Sequence, residues 1–284
     1  MNNRIKGSIM MIVSAVSLAV MQIMIAMTSG TIPVFEQMIF RNMITAVIAY
    51  MALRKKGIRE IWGHRENAVL LGARSLFGFL GMFCLFYATG KGNQGEVAIL
   101  SKLSPFVVIL FAMVFLHERI KPYQKWALAI AVAGAFITSN PTFGGFTLPA
   151  FSALMCSVFS GVAYFCVGKL RGREDAEVIV LVFSVFTTVI CIAVTLVQFV
   201  MPSLRDFLLL MGVGVFAAIG QLTLTHAYTL AAASEVSVFN YSGIPVTMLL
   251  GLLVLSQPIK ITTLIGSVLV IVSAVISFLG DRKK

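Results

Sequence analysis

The residues with the clearest potential for chemistry are three cations that lie inside otherwise apolar stretches of the chain. Arg41, Arg74 and Lys102 each occur within a run long enough to cross a bilayer. A charge in hydrocarbon costs about 2.5–3.5 kcal/mol on insertion scales, so each should face protein or a water-filled cavity. One interpretation is a positively charged central cavity that binds an anionic or zwitterionic solute. The alternative is structural: each cation pairs with a carboxylate or with free helix carbonyls and locks the helices together.

Neutral polar residues in later apolar stretches are candidates for the wall of the same cavity. Gln221, Asn240 and Tyr241 can all hydrogen-bond a solute. Arg74 lies nearer one end of its stretch than Lys102 does, so it could instead reach the membrane surface by snorkelling. The predicted substrate site consists of Arg41, Arg74, Lys102, Gln221, Asn240 and Tyr241.

Three carboxylates near the ends of apolar stretches are candidates for gating or coupling. Glu96 and Glu235 each begin such a stretch, where the helix dipole and free N–H groups favour a carboxylate. Capping of the helix is therefore the favoured role for both, and a symmetric pair of gates is the alternative. Glu36 could pair with Lys102 or accept a coupling proton.

The stretch that contains Lys102 and Pro105 occurs a second time. Residues 96–121 and 235–260 align at an offset of 139, with EV at the start and IK at the end of both, and Pro105 falls one place from Pro245. A proline removes a backbone hydrogen bond and bends or breaks a helix, so both prolines are predicted hinges or gates. Chance similarity between two apolar helices is the alternative. Interrupted apolar segments at matching places in two halves are typical of transporter binding sites.

The composition excludes a soluble globular domain and indicates an all-α integral membrane protein. The chain is 59% hydrophobic and 12% charged, with a mean hydropathy of +0.97, whereas soluble domains are usually about 25% charged. Its 284 residues accommodate roughly ten spans of about 20 residues with short loops. The predicted spans are 7–28, 33–53, 68–89, 95–116, 122–139, 146–168, 176–200, 206–228, 233–255 and 259–280.

The distribution of basic residues predicts the topology. With a cytoplasmic N-terminus, sixteen Lys and Arg lie in inside segments and three in outside segments, which places both termini in the cytoplasm. The net charge of +11 therefore serves orientation and contact with anionic membrane lipid, and nucleic acid is not a predicted partner. Five spans in each half mean opposite insertion, so we predict two inverted five-helix repeats, residues 1–143 and 144–284.

Signatures of an enzyme or of a bound cofactor are not found in the sequence. The four cysteines all lie inside apolar runs, without the paired spacing of a disulfide framework or a metal site. No nucleophile elbow, P-loop or catalytic dyad is visible. We predict no catalytic residue, no metal and no cofactor.

Several segments together carry a family resemblance over nearly the whole chain. They are Arg41, ARSLFGFLGMFCLFYA (73–88), Pro105, LHER (116–119), IGQLTLTHAYTLAAASEVSVFNY (219–241) and Pro245. In these segments the chain resembles the drug/metabolite transporter superfamily, in its EamA-like group of ten-span carriers. The resemblance implies two inverted five-helix repeats, alternating access and a central cavity. It also implies a solute among amino acids, metabolites, nucleotide sugars or cationic drugs.

Two departures from the pattern of that family bear on the solute. Gln257 stands where an acidic residue is usual after the ninth span, and Lys102 stands where such carriers often have a small or polar residue. A lysine there disfavours bulky cations. We therefore predict a secondary active or exchange transporter of a small anionic or zwitterionic metabolite, amino-acid-like or a carboxylate, in the plasma membrane (a bacterial inner membrane), as a monomer or homodimer. The alternatives are an exporter of cationic drugs or S-adenosylmethionine-like solutes, and a flippase for a lipid or precursor.

Overall fold

The structure, a computed structural model, is helical throughout the part of the chain that it describes. It describes residues 3–58, 60–104, 106–107, 122–139, 147–196, 199–231 and 236–282, and no strand occurs in these ranges. The α-helices in them are α1 (Asn3–Thr28), α2 (Val34–Lys55), α3 (Ala68–Lys91), α4 (Gln94–Ser101), α5 (Pro122–Ser139), α6 (Leu148–Leu170), α7 (Ala176–Thr195), α8 (Leu204–Leu230), α9 (Gly243–Leu255) and α10 (Ile261–Arg282). Two short 3₁₀ helices are Arg65–Asn67 and Ser237–Ser242.

Seven helical segments of the described chain are long and apolar enough to cross a membrane, and they involve α1, α3, α6, α7, α8, α9 and α10. Large apolar side chains such as Phe136, Val189 and Leu253 are exposed on the outer faces of the bundle. In a protein embedded in lipid these faces are in contact with acyl chains instead of water. Among the remaining helices, α5 has a shorter apolar segment, α2 is the least apolar, and α4 precedes residues outside the described ranges. The count of ten spans remains a prediction.

Side-chain caps fix where several helices begin. Asn93 accepts hydrogen bonds from the backbone N–H groups of Gly95 and Glu96 at the start of α4. Thr147 and Ser203 cap α6 and α8 in the same way. Such oxygens satisfy N–H groups that have no partner within the helix. The predicted capping role of Glu96 is therefore corrected: Asn93 supplies the hydrogen bonds, while Glu96 lies in the first turn, where the dipole favours its charge.

The main helix contacts join the first half of the chain to the second. The most extensive contacts are α1 with α8, α3 with α6, α5 with α10, α2 with α7 and α2 with α8, followed by α1 with α9, α3 with α7, α4 with α6 and α4 with α9. This set of pairs is unchanged when α1–α5 are exchanged for α6–α10. The pair α1–α8 then becomes α6–α3, α2–α8 becomes α7–α3, α1–α9 becomes α6–α4, and the other three pairs map onto themselves. The buried core is consequently shared between the halves. One of its clusters contains Met38 and Phe86 from the first half and Phe183 and Val213 from the second.

The predicted span that contains Lys102 is interrupted in the interior, where α4 ends. The helix ends at Ser101, and the chain turns at Lys102 and Leu103, whose N–H groups bind carbonyls three residues back. The break was predicted at Pro105, which lies outside the described residues. The observed end of the helix, Ser101, lies four residues before Pro105 in the sequence.

The second predicted hinge also has its interruption upstream of the proline. The 3₁₀ segment Ser237–Ser242 leads into α9, which begins at Gly243. Pro245 occupies the first turn of α9, where its missing N–H breaks no intrahelical hydrogen bond. The two interrupted segments face each other, because Lys102, just after α4, donates a hydrogen bond to Asn240 in the 3₁₀ segment.

Candidate functional site

Arg41 lies in α2 with its guanidinium in the protein interior. Only 4% of its surface is exposed. Its Nη1 donates to Asn42 Oδ1 at 2.8 Å, and its Nη2 donates to Gln221 Oε1 on α8 at 3.2 Å. Both acceptors are neutral amides, so these contacts leave the positive charge uncompensated. Arg41 Nε has no hydrogen-bond partner among the described residues, which leaves a buried donor free for a bound acceptor.

Arg74 is buried beside the same site and does not reach the membrane surface. It is 2% exposed, and its guanidinium carbon lies 4.2 Å from the centre of the Phe183 ring on α7. Snorkelling, which the sequence allowed, is therefore wrong for this residue. Arg41 lies 5.5 Å from the centre of the same ring, so one phenyl group contacts two guanidinium groups. Within the described ranges, neither arginine forms a salt bridge with a carboxylate.

This pair of arginines around Phe183 has the electrostatics of an anion site. Two like charges in the interior repel each other, and burial of each costs several kcal/mol when it is uncompensated. Cation–π contact with Phe183 offsets part of this cost, by about 2 kcal/mol for a desolvated cation. Carboxylate or phosphate oxygens would offset more, through charge-assisted and bidentate hydrogen bonds.

Lys102 forms a second cationic group at the interrupted helices. Its Nζ donates to Asn240 Oδ1 at 2.7 Å. The sequence also allowed Lys102 to pair with Glu36, but the structure does not form that pair. Like Arg41, Lys102 has a neutral amide as its acceptor. Tyr241 follows Asn240 and is 4% exposed, and its hydroxyl is without a hydrogen-bond partner in the described part of the chain.

A polar face of α6 connects the two cationic groups. Cys156, Ser160 and Tyr164 are spaced four residues apart and so share one side of the helix. Cys156 Sγ lies 3.7 Å from Ser160 Oγ, a polar contact on this face. Lys102 acts electrostatically on Cys156, and Arg41 and Arg74 both act on Tyr164, so this face lies within the electrostatic range of both cationic groups.

The structure thus brings together the predicted residues in two groups and adds others that sequence reasoning missed. Arg41 pairs with Gln221, and Lys102 pairs with Asn240. Phe183 was missed because one phenylalanine in an apolar span carries no signal of its own. The polar face of α6 did have a signal, the four-residue spacing of Cys156, Ser160 and Tyr164.

Glu36, a predicted gating or coupling residue, is buried at the N-terminal end of α2. It is 1% exposed, and its Oε2 accepts a hydrogen bond of 3.1 Å from the backbone N–H of Val200. This contact ties α2 to the connection between α7 and α8. The coupling role of Glu36 remains a prediction.

The other predicted gating residues have different surroundings. Glu96 is half-buried and interacts electrostatically with the exposed Lys260, which precedes α10. Pro245 lies in the first turn of α9. Glu235 and Pro105 lie outside the described residues.

A network of three glutamines joins the halves at the end of the bundle where α4 begins. Gln94 N donates to Gln257 Oε1 at 2.8 Å, and Gln22 Nε2 donates to Gln94 Oε1 at 3.1 Å. Gln257 is the residue that departs from the acidic family pattern. Its amide oxygen accepts from the backbone of the other half.

A cluster around Glu177, absent from the predicted site, joins the halves at the opposite end. Glu177 Oε1 on α7 lies 2.7 Å from Lys56 Nζ, just after α2, and 3.0 Å from His226 Nε2 on α8. Its side chain is only 5% exposed. Lys56, Glu177 and His226 are referred to below as the Glu177 cluster. Because breaking a buried pair leaves an uncompensated charge, the cluster holds α2, α7 and α8 together at this end.

A neighbouring Glu174 cluster joins two connecting loops. Glu174 Oε1 accepts from His64 N at 2.7 Å and from Asn67 Nδ2 at 2.8 Å, and lies 3.0 Å from His64 Nδ1. Burial alone would raise the pKa of Glu174, but the hydrogen bonds from Asn67 and His64 outweigh it and lower that pKa. The hydrogen bond to Glu174 raises the pKa of His64. Gly63 precedes this contact with φ of +77°, a left-handed conformation that glycine adopts without strain.

The described residues contain no group of three or more His, Cys, Asp or Glu that could hold a metal ion. The chain belongs to the EamA-like transporter family, whose profile matches residues 5–140 and again residues 147–279. Together with the relatives described next, this family makes the protein a membrane transporter for small molecules and not an enzyme.

Individual relatives agree with this family. The chain is 30% identical over 271 residues to the pseudopaline exporter of Pseudomonas aeruginosa, which covers 95% of this chain and 94% of the exporter. It is 31% identical over 149 residues to the riboflavin transporter of Rhizobium johnstonii, which covers 52% of this chain and 49% of that protein. A solved crystal structure matches with a TM-score of 0.72 and 18% identity over 98% of both chains, and supports the fold.

Proposed function

We propose that the protein is a secondary active or exchange transporter of a small anionic or zwitterionic organic metabolite, amino-acid-like or a carboxylate, across the plasma membrane. The observation that supports this solute class is the set of interior cations. Arg41, Arg74 and Lys102 all have neutral partners in the described structure. A cationic solute would meet three like charges there, whereas an anion would relieve them.

The origin of the contacting groups suggests how binding drives transport. All three cations belong to the first half of the chain, and each has one partner in the second half: Gln221, Phe183 or Asn240. An anionic group displaces a neutral amide, because the charge-assisted hydrogen bond is the stronger one. Binding would therefore exchange contacts between the halves for contacts with the solute. Such an exchange allows one half to rock against the other around a fixed site.

The internal symmetry of this movement is also part of the proposal. We infer two inverted repeats, residues 1–143 and 144–284, with both termini in the cytoplasm. Two matches of one family profile and the exchange-invariant helix pairing support the repeats. The bias of basic residues supports the orientation. In this orientation the glutamine network lies at the outer end and the Glu177 cluster at the cytoplasmic end, so each is placed to close one side.

Similarity to named relatives supports a small-molecule solute without selecting one. The two relatives named above are called an exporter of pseudopaline and a transporter of riboflavin, which are different solutes. The charge of the site is therefore the better guide to solute class. Riboflavin, quaternary amines and S-adenosylmethionine belong in the ligand panel as tests of the competing classes.

The experiment is a thermal-shift screen of the purified protein in detergent, followed by counterflow in proteoliposomes with any stabilising compound. A ligand at 100 times its Kd stabilises the folded state by about 2.7 kcal/mol. We expect carboxylates or amino acids to stabilise the wild type, and Arg74→Gln to lower their affinity at least about tenfold by removal of a buried charge contact.

The matched control is Arg65→Gln, which removes an arginine exposed in the loop before α3. It should leave both stabilisation and counterflow at wild-type levels. Stabilisation by cationic compounds alone, unaffected by Arg74→Gln, would overturn the proposed solute class and favour a cation exporter. Scrambling of labelled lipid by the proteoliposomes without solute exchange would favour a flippase.

A further inference from the structure

The guanidinium group of Arg74 lies against the turn of α3 that follows Arg74 in the chain. A Cβ atom on Gly78 would overlap Arg74 Nη1, so this nitrogen occupies the space that a side chain at position 78 would fill. Gly78 lies four residues, or about 6 Å, further along the helix. Long side chains on helices usually lie over the preceding turn, because the Cα–Cβ bond tilts towards the N-terminus. Arg74 therefore extends along α3 in the opposite direction from the usual one.

This direction decides where the charge of Arg74 lies. α3 begins at Ala68, less than two turns before Arg74, so a side chain that leaned the usual way would approach that end of the bundle. Because it lies over Gly78, the guanidinium is instead 4.2 Å from the centre of the Phe183 ring, where Arg41 lies at 5.5 Å. The direction of this one side chain determines whether the site around Phe183 contains one guanidinium group or two.

Gly78 is also packed closely against Phe183. Its Cβ position would lie 2.8 Å from Phe183 Cε2 and 3.1 Å from Cδ2, whereas carbon atoms in favourable contact are about 3.5–4.0 Å apart. A methyl group at this position could be accommodated only if the ring or the guanidinium moved. The guanidinium is the end of a flexible side chain, while the backbone of α3 is held by helical hydrogen bonds. The arginine is therefore the group that would move first.

In its present position Arg74 adds a hydrogen-bond donor to the site. Arg41 Nε, Arg74 Nε and Gln221 Nε2 are buried and have no partner among the described residues. The three residues are 4%, 2% and 6% exposed. All three atoms are donors, so the group that satisfies them is an acceptor, and carboxylate oxygens bind guanidinium groups most strongly.

We propose, in an inference that rests on the proposed function, that Gly78 is a positioning residue of the anion site. Because Gly78 has no Cβ, Arg74 can lie over it and join Arg41 beside Phe183. A side chain at position 78 turns Arg74 back towards the N-terminal end of α3, and Arg41 is then the one arginine left at the ring. The glycine thus sets both the charge of the site and its affinity for the solute.

Gly78→Ala tests this inference, and Gly72→Ala is the matched control. Both glycines lie on α3 and gain the same helix propensity, but a Cβ on Gly72 would meet no atom within 4 Å. Kd values of succinate and glutamate are measured by isothermal titration calorimetry on the full chain in detergent. Gly78→Ala should raise the Kd of the anion that binds by about tenfold, the factor expected for one lost charge-assisted contact. Gly72→Ala should leave it unchanged.

The same change in an Arg74→Gln background separates positioning of the arginine from obstruction of the solute. If Gly78 acts through Arg74, Gly78→Ala should raise the Kd less than about twofold once the guanidinium is absent, since both changes remove the same contact. An equal increase in Kd in the two backgrounds would overturn the inference, because the methyl group would then block the solute directly.

Phenylglyoxal, which modifies accessible arginine side chains, gives a measurement that needs no solute. Arg74 is buried in the wild type. Mass spectrometry should show that it is modified several times faster in Gly78→Ala than in Gly72→Ala. Unchanged modification together with an unchanged Kd would overturn the inference, because Arg74 would then keep its position without the glycine.

The remaining outcomes separate the inference from the function on which it rests. Loss of folded protein in Gly78→Ala that Arg74→Gln restores would support positioning of the arginine, whereas a loss that persists would make Gly78 a packing residue and overturn the inference. Faster modification of Arg74 in Gly78→Ala, in a protein whose wild type binds neither anion, would support the placement of Arg74 by Gly78. The proposed solute class would then be wrong.

Discussion

At the scale of single residues, the neutral partners of the interior cations are what suits the site to binding. A carboxylate in place of Gln221 or Asn240 would form a strong internal pair that a solute would have to break. An amide holds the cation in position through one hydrogen bond but leaves its charge for the solute. Phe183 does the same for Arg74 through its ring, without occupying any of the guanidinium donors.

Replacement of Phe183 by leucine tests this contribution of the ring. Phe86 is the matched control, since it is 1% exposed in the same core cluster, compared with 2% for Phe183. Both changes remove similar ring volume, so the cavity terms largely cancel. We expect Phe183→Leu to lower the free energy of unfolding by about 1–2 kcal/mol more than Phe86→Leu, from lost cation–π contact. Equilibrium unfolding in mixed micelles measures the free energy of unfolding of both variants. Equal decreases in the two would mean that Phe183 contributes to stability by packing alone.

The residues of the site were predictable to the extent that their types are unusual in a membrane. Arg41, Arg74 and Lys102 are costly in hydrocarbon, and that cost marks them in the sequence. Phe183 could not be found in this way, because its role comes from two guanidinium groups that other helices place beside it. Contacts between positions so far apart in the chain depend on helix rotation, which apolar spans do not specify.

At the scale of elements, the loops between helices are held by hydrogen bonds as specific as those of the site. The loop from α2 to α3 is joined to the loop from α6 to α7 by Glu174, which contacts His64 and Asn67. Both helix interruptions lie a few residues before a proline in the sequence, Pro105 or Pro245. The partner of Glu174 was not predictable, since it lies 110 positions away from His64.

The Glu174 cluster should make stability depend on pH in two directions. Glu174 has a lowered pKa, so its contribution is present above the ordinary value of 4.5 and is lost as pH falls through the lowered value. His64 has a raised pKa, so its contribution is complete below 6.5 and is lost as pH rises through the raised value. The Tm difference between wild type and Glu174→Gln should therefore be greatest between about pH 4.5 and 6.5.

The two limbs of that profile can be separated by a second variant. His64→Gln removes the titrating ring but keeps Asn67 and the backbone N–H as donors to Glu174. Thermal unfolding of this variant in detergent should then show the loss of stability at low pH, which comes from Glu174, without the loss at higher pH, which comes from His64. A Tm difference between wild type and Glu174→Gln that stays constant with pH would mean that the cluster acts by packing and not by charge.

At the scale of the whole molecule, both ends of the bundle are tied across the halves, in chemically different ways. The glutamine network at one end consists of neutral hydrogen bonds, each worth about 0.5–1.5 kcal/mol. The Glu177 cluster at the other end contains a buried carboxylate with two cationic or ionisable partners, which is more costly to break. This asymmetry favours a resting state closed at the end that carries the Glu177 cluster.

Substitution of Glu177 by glutamine should therefore open this end, which the proposed topology places on the cytoplasmic side. The native Cys156 on α6 reports this, because it is buried, with only 4% of its surface exposed. Loss of the charged acceptor costs about 1–3 kcal/mol, which corresponds to a population shift of roughly 5- to 150-fold. In a background where Cys84, Cys166 and Cys191 are replaced by alanine, an impermeant maleimide inside oriented vesicles should label Cys156 at least about fivefold faster in Glu177→Gln.

Glu66→Gln, on the exposed loop before α3, is the control and should label at the wild-type rate. Faster labelling from the opposite side would keep the cluster as a gate but reverse the predicted topology. Unchanged labelling from both sides would show that Glu177 does not control the access of water to the interior between the halves. Faster labelling that saturating solute suppresses would link the gate to the site, because bound solute would then shift the population back towards the state that is closed at this end.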